Sequence, residues 1–232
     1  MKGLLGTAGA VGLLVFGVGA VSGCGGSSKK AAPASGTDRP TISMWVSGSA
    51  GEYRQLSAGV KLALSEAQAD AGKFRINFAG REISDDPTRA EADALANARM
   101  SLQDTQVSGV VVDAPPAASR PAITLLNEAG IPTVAIGDAA LKTEACSAGS
   151  DIYPAGHKTA IVVLPSTPPA SWSSSFSSSL GFKPTATAWR AYQGTKSLLA
   201  SIATPGVATT GNPPRLNRDT LVTALVSGHS DC

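Results

Sequence analysis

The chain has 232 residues, a formal net charge of +2, 43% hydrophobic residues and 16% charged residues. That is enough for one ordinary domain with a real core, but aromatics are only 5% and alanine supplies much of the apolar content, so the core is light. The only basic run is Lys29–Lys30 and no stretch alternates basic with aromatic residues, which excludes the usual nucleic-acid footprint.

The N-terminus, MKGLLGTAGAVGLLVFGVGAVSGCGG, places one basic residue before an uncharged, glycine-rich apolar run and then small residues. Such a run also admits an ordinary cleaved signal peptide or a single spanning helix, although a span wants about 20 apolar residues with fewer glycines. Val21–Cys24, VSGC, resembles the lipobox of bacterial lipoproteins, in which the cysteine is lipidated and becomes the mature N-terminus. The resemblance implies a signal peptide over residues 1–23, lipidation of Cys24, and a chain held on the extracytoplasmic face of the cell membrane. Each buried CH₂ of acyl chain contributes about 0.8 kcal/mol to that anchorage. Residues 24–40 are small, polar and proline-containing and read as a flexible tether. Export implies an oxidising setting, so Cys146 and Cys232 are candidates for one disulfide. Paired, they would stabilise the fold by about 4 kcal/mol on the chain-entropy model.

Beyond the tether, strand and helix patterns alternate. TISMWVS (41–47) is the first strand. Ser49 and Glu52 have capping-box spacing, and Leu56, Val60, Ala63, Leu64 and Ala67 share one face of the helix that follows, which Gly72 ends. KFRINFAGRE is the second strand. Asp86-Pro87 opens an alanine-rich helix to about Leu102, with aspartate as cap and proline in the first turn. VSGVVVDA is a continuous apolar strand, as expected where both sheet faces are covered. A helix with Ile123 and Leu126 inward and Gly130 as its stop leads to the strand IPTVAIG, and after a loop carrying Cys146 comes the strand TAIVVLP. STPPASWSSSFSSSLGFKP is serine-rich and reads as irregular. If Trp172 and Phe176 lie in such a loop, their rings could cover the carboxyl edge of the sheet. The helix TATAWRAYQGTKSLLASI sets Ala188, Trp189, Tyr192, Leu199, Ile202 and Ala203 on one face, and a last helix is capped by Asn217 and stopped by Gly228. The order predicts an α/β fold with a doubly wound, mostly parallel five-stranded sheet.

SGSAGEYRQLSAGVKLALSEA, REISDDPTRAEADALANARM, VSGVVVDAPPAASRPAITLLNEAGIPTVAI, AIVVLP and TAWRAYQGTKSLLASI, in this sequence, resemble the type I periplasmic binding proteins of the branched-chain amino-acid receptor group. The resemblance implies strand order 2-1-3-4-5, as in flavodoxin, and delivery of a small solute to an ABC permease, with no enzymatic activity. Members have two lobes joined by crossing segments, with ligand between them. Here the returning strand follows the fourth strand after a short loop, so residues 41–232 are expected to form one lobe resembling the family's first.

Carrying the family's first-lobe ligand loops over gives Ser47, Ser49, Glu52 and Tyr53 after strand one, with the glycine of the helix at Gly59. It gives Ala118 and Ser119 after strand three, and Asp138 and Ala139 after strand four. Two positions where the family holds hydroxyls, 118 and 139, are alanine here, which loses donors for a carboxylate. Weak solute binding, or none, is therefore expected of the chain alone. The rival reading is a protein-interaction module whose uncovered surface docks on a partner or a second copy; a receptor that has lost ligand binding fits the same residues. Asp85, Asp86, Glu82 and Glu91 form an acidic cluster best read as one helix cap among solvated carboxylates. His157 and His229 lack metal-ligand spacing, GHSDC is no catalytic triad by contiguity alone, and no metal or cofactor is expected.

Overall fold

The computed structural model describes residues 39–67, 72–137, 141–142, 159–163 and 166–228. Residues 1–38, with Cys24 and the stretches expected to be a signal peptide and tether, lie outside the described residues, as do Asp138, Ala139, Cys146, His157, His229 and Cys232.

The elements are β1 (Thr41–Ser49), α1 (Tyr53–Glu66), β2 (Arg75–Ile83), α2 (Pro87–Gln103), β3 (Val107–Asp113), α3 (Pro116–Glu128), β4 (Thr133–Ile136), β5 (Ala160–Val163), α4 (Ala170–Leu180), α5 (Ala186–Ile202) and α6 (Arg218–Ser227). The sheet order is β2-β1-β3-β4-β5 and every neighbouring pair is parallel. All carboxyl ends of the strands therefore share one edge and all amino ends the other. That polarity organises everything the molecule can do.

Each face of the sheet has its own core. On one side Ile42, Met44, Val46 and Val111 meet Leu56, Val60 and Ala63 of α1, Leu198, Leu199 and Ile202 of α5, and Leu221 and Leu225 of α6. On the other, Val107, Val110 and Val112 meet Ala90, Ala94 and Ala98 of α2 and Ala118, Ala122 and Leu126 of α3. Alanine at every fourth position of α2 gives that helix a smooth stripe, which lets it lie close to the sheet. Between α1 and α5 the approach is closer still: a Cβ placed on Gly59 would collide with the carbonyl oxygen of Ala188. Glycine at 59 is thus a packing requirement.

Helix ends follow their local chemistry with one exception. Asp86 Oδ1 accepts the Thr88 backbone N–H at 2.9 Å, with Pro87 in the first turn, and Asn217 Oδ1 accepts Thr220 N–H at 3.2 Å. The Thr88 backbone bond, followed by the Thr88 hydroxyl, holds the Asp86 carboxyl below its ordinary range. Gly130 and Gly181 take positive φ at the ends of α3 and α4; Gly72, expected to stop α1, also has positive φ, but α1 ends at Glu66 with Ala67 as its cap. The capping box expected of Ser49 and Glu52 does not form. Ser49 is the last residue of β1, its hydroxyl donates to the Asp113 carbonyl at 3.5 Å, and α1 starts at Glu52 without a side-chain cap.

The serine-rich segment is the larger correction. It is not irregular: Ala170–Leu180 is α4. Trp172, Phe176 and Leu180 recur every fourth residue and make one apolar face, while Ser174 and Ser177 donate to carbonyls four residues back. Phe176 is fully buried against Ala58 of α1 and Ala188 of α5, and Trp172 packs on Trp189 at 4.7 Å and Tyr192 at 5.4 Å. Both rings lie on helices and not over the strand ends, so the expected cover for the carboxyl edge is not what they form. Trp189 and Tyr192 consequently turn towards α4, and Ala203 caps α5 in an exposed position. The core face of α5 keeps the expected Ala188, Leu199 and Ile202 and adds Ala191, Gly194, Thr195 and Leu198.

Candidate functional site

Among the described elements, parallel strands bring four βα connections, with their helix N-termini, to the carboxyl edge, the usual place for ligands in open α/β sheets. Between the starts of α2 and α3 this edge holds a cavity of about 220 Å³. Pro87, Ala90, Pro115, Ala117 and Ala118 line it with apolar surface, and Ser49, Ser84, Asp85 and Glu91 add polar groups. The rim is fixed by backbone donors: Gly51 N–H bonds Asp85 Oδ2 at 2.9 Å, and Ser84 N–H bonds Asp93 Oδ2 at 3.0 Å. Glu91, one turn into α2, is exposed and free to swing.

The middle of the edge is occupied by Asp113, the last residue of β3. Burial pushes its carboxyl up to about 6; Arg190 pulls the other way and Glu52 adds to the rise. Among the described residues no donor is hydrogen-bonded to this carboxylate, and none lies in ion-pair contact with it. The Arg190 guanidinium is held by its own neighbours, donating to Gly137 O and Thr187 Oγ1, each at 3.5 Å. Glu52 is tethered by the Thr185 hydroxyl at 3.0 Å. The charges that act on Asp113 are thus Arg190 and Glu52, and the cavity beside it carries Asp85 and Glu91.

The expected solute residues divide. Ser49 and Ala118 line one cavity, and Glu52 lies within electrostatic reach of Asp113. The others are committed elsewhere. Ser47 is buried and accepts from Asn97 Nδ2 at 2.9 Å, while the same amide holds the Glu82 carbonyl. Tyr53 packs against the core, its hydroxyl filling the space above Gly80. Ser119 is buried and turns its hydroxyl to Pro116 O. Asp113 and Arg190 were not singled out by sequence reasoning. An aspartate ending the apolar run VVV was the available signal, since a charge at the end of a doubly covered strand must sit at an edge. Asp86 of the acidic cluster is a cap, as read from sequence, whereas Asp85 and Glu91 belong to the cavity wall. Among the described residues no group of three acidic, histidine or cysteine side chains is placed to hold a metal.

No protein-family model matches the chain, and no curated protein matches it. Solved structures do. A possible leucine/isoleucine/valine-binding protein from Rhodopirellula baltica superposes with a TM-score of 0.57 at 10% identity, over 84% of this chain and 88% of that one. An ABC transporter substrate-binding protein from Desulfitobacterium hafniense, in complex with Leu, gives 0.54 at 12% identity, over 81% and 89%. The fold is of the periplasmic-binding-protein type. At these identities the likeness is one of architecture, and it agrees with the sheet order and with the helices that flank it.

Proposed function

We propose that the chain is a lipid-anchored, extracytoplasmic module built on one lobe of a solute-binding-protein fold, which holds a small solute weakly and performs no catalysis. The observation that carries this reading is the cavity at the carboxyl edge, where Ser49 and Ala118 meet Asp85 and Glu91. Support for a single lobe comes from this chain's own strand order: β4 pairs with β5, and only residues 137–159 lie between them.

The solute class follows from charge. An apolar lining flanked by carboxylates suits a short alkyl group bearing an ammonium, whereas a free carboxylate would meet like charge with few donors to receive it. Asp86 already caps α2, so the positive end of that helix is answered from within the chain. A cavity of this size, open on one side, lies below the ~300–1,000 Å³ of ordinary small-molecule sites. Losing half of a receptor's contacts would move affinity from micromolar to about millimolar, on the order of 4 kcal/mol.

The test is an NMR titration of the soluble chain with leucine, leucinamide and isopentylamine. The two amines without a carboxylate should shift the amides of Ser49, Ser84, Glu91 and Ala118 at millimolar concentration, and leucine should do so more weakly. Asp85→Asn with Glu91→Gln should remove the response. Micromolar leucine binding, or shifts confined to other regions, would refute the proposal.

A further inference from the structure

The opposite edge of the sheet holds a groove with basic residues in and around it. It measures about 540 Å³ and runs along the amino ends of three strands, bounded by Pro40, Phe74 and Gln106 and, from the start of α6, by Arg215 and Arg218. Arg218 is built into its wall, donating to the carbonyls of Thr105 at 3.5 Å and Val107 at 3.2 Å. Arg215 is exposed, on a turn fastened by its own N–H to Thr209 Oγ1 at 2.9 Å. Arg39 and Lys73, also exposed, stand one residue ahead of Pro40 and Phe74.

The opposing carboxylates there are Asp104 and Asp219. Asp104 is already engaged by the Trp45 indole at 2.9 Å and the Gln106 N–H at 2.9 Å. Burial raises its carboxyl, but those bonds, together with Arg218, bring it below the ordinary range. The groove is thus locally basic: Arg215 and Arg218 line it and Arg39 and Lys73 flank it, against Asp219 on its wall.

The N-terminal tether joins the fold at the basic pole, because it runs directly into β1 through Pro40. From Gly25 to Asp38, at about 3.3–3.6 Å per residue, it could hold the fold as much as roughly 50 Å from a membrane. We propose that the basic amino edge closes this distance by resting on anionic phospholipid headgroups, with the carboxyl-edge cavity directed away from the bilayer. The inference takes from the functional reading only the anchor at Cys24. A membrane is favoured over a soluble partner because the cations ring the point where the anchored segment enters, so the lipid surface is always at hand.

The test uses the chain from Gly25 onward without lipid, since the compact unit begins at Gly36. It should cosediment with phosphatidylcholine vesicles containing phosphatidylglycerol at low salt, release as salt rises, and ignore vesicles of phosphatidylcholine alone. Arg39→Gln, Lys73→Gln and Arg215→Gln together should weaken binding on the order of a hundredfold, from roughly fivefold per cation. Equal binding to neutral vesicles, or a triple variant that binds as the parent does, would overturn it. So would binding abolished by a few millimolar inorganic phosphate, which would mark a phosphate pocket. The anchor is tested separately: Cys24→Ala in the full chain should release it from the membrane fraction, and failure there leaves the vesicle result standing.

Discussion

Asp113→Asn tests the electrostatics of the carboxyl edge. In the folded chain the Asp113 carboxyl rises from 3.8 to about 6, chiefly because burial disfavours its charge. Below pH 3.8 the group is protonated in folded and unfolded chains alike. Between pH 3.8 and 6 the folded state keeps a proton that the unfolded state has released, so stability falls as pH rises. Above 6 the full cost is in place. At 1.36 kcal/mol per pH unit that cost is on the order of 3 kcal/mol, and the position at a strand end, open on one side, brings it to about 2. Asparagine keeps the shape and removes the charge. Urea unfolding of parent and variant at pH 4, 5, 6 and 7.5 should show nearly equal stability at pH 4. The variant should gain about 2 kcal/mol by pH 7.5, which is a Tm about 4–8 °C higher for a chain of this size. A gap that does not change with pH, or that favours the parent as pH rises, would refute the reasoning. The charge that costs stability is also one an incoming ammonium would meet, the usual trade at a binding edge.

Two further substitutions test the packing. Gly59→Val should part α1 from α5, because the Ala188 carbonyl occupies the space of the new Cβ; a loss of about 2 kcal/mol in urea unfolding is expected, and none would show that the helices can slide. Asn127→Ala should cost about 1–3 kcal/mol, since Asn127 Oδ1 receives both Thr159 N–H at 2.8 Å and Thr159 Oγ1 at 2.6 Å in a buried position. Its local signature would be faster hydrogen exchange at the start of β5 than at β1.

The strands and most helices were legible because their apolar residues recur at the period of the element, as with Val110–Val112 in β3 and Leu56, Val60 and Ala63 in α1. α4 was hidden by its serines. Trp172, Phe176 and Leu180 already carried the spacing of a helix, but composition outweighed periodicity until the α1–α5 surface that receives Phe176 was known. Ser49 and Glu52 failed as a capping box for a related reason: their spacing fits the motif, yet β1 extends through Ser49 and draws its hydroxyl towards β3. The site was the least legible part. Whether Asp113 is a solvated carboxylate or a desolvated one depends on what Glu52, Arg190 and the flanking helices place around it, and neither Glu52 nor Arg190 is near it in sequence.

The single-lobe reading requires a fold that closes on itself, and the two cores are consistent with that requirement. The face towards α1 is closed by α1, α5 and α6, and the face towards α2 by α2 and α3, all from residues 41–228. Binding has no such independence. The carboxyl edge is a surface of strand ends and helix starts, where polar groups find partners within the lobe: Ser47 with Asn97, Ser119 with its own helix, Glu52 with Thr185. Groups satisfied internally do not reach for a ligand, so under the proposed function recognition falls to Glu91 and to the Asp85 oxygen that Gly51 N–H leaves over, with Asp113 beside them. On the proposed reading the cores carry stability, and the solute site is a small pocket with carboxylates on its wall. A variant that restored a donor at Ala118 would still lack the enclosing wall that affinity requires.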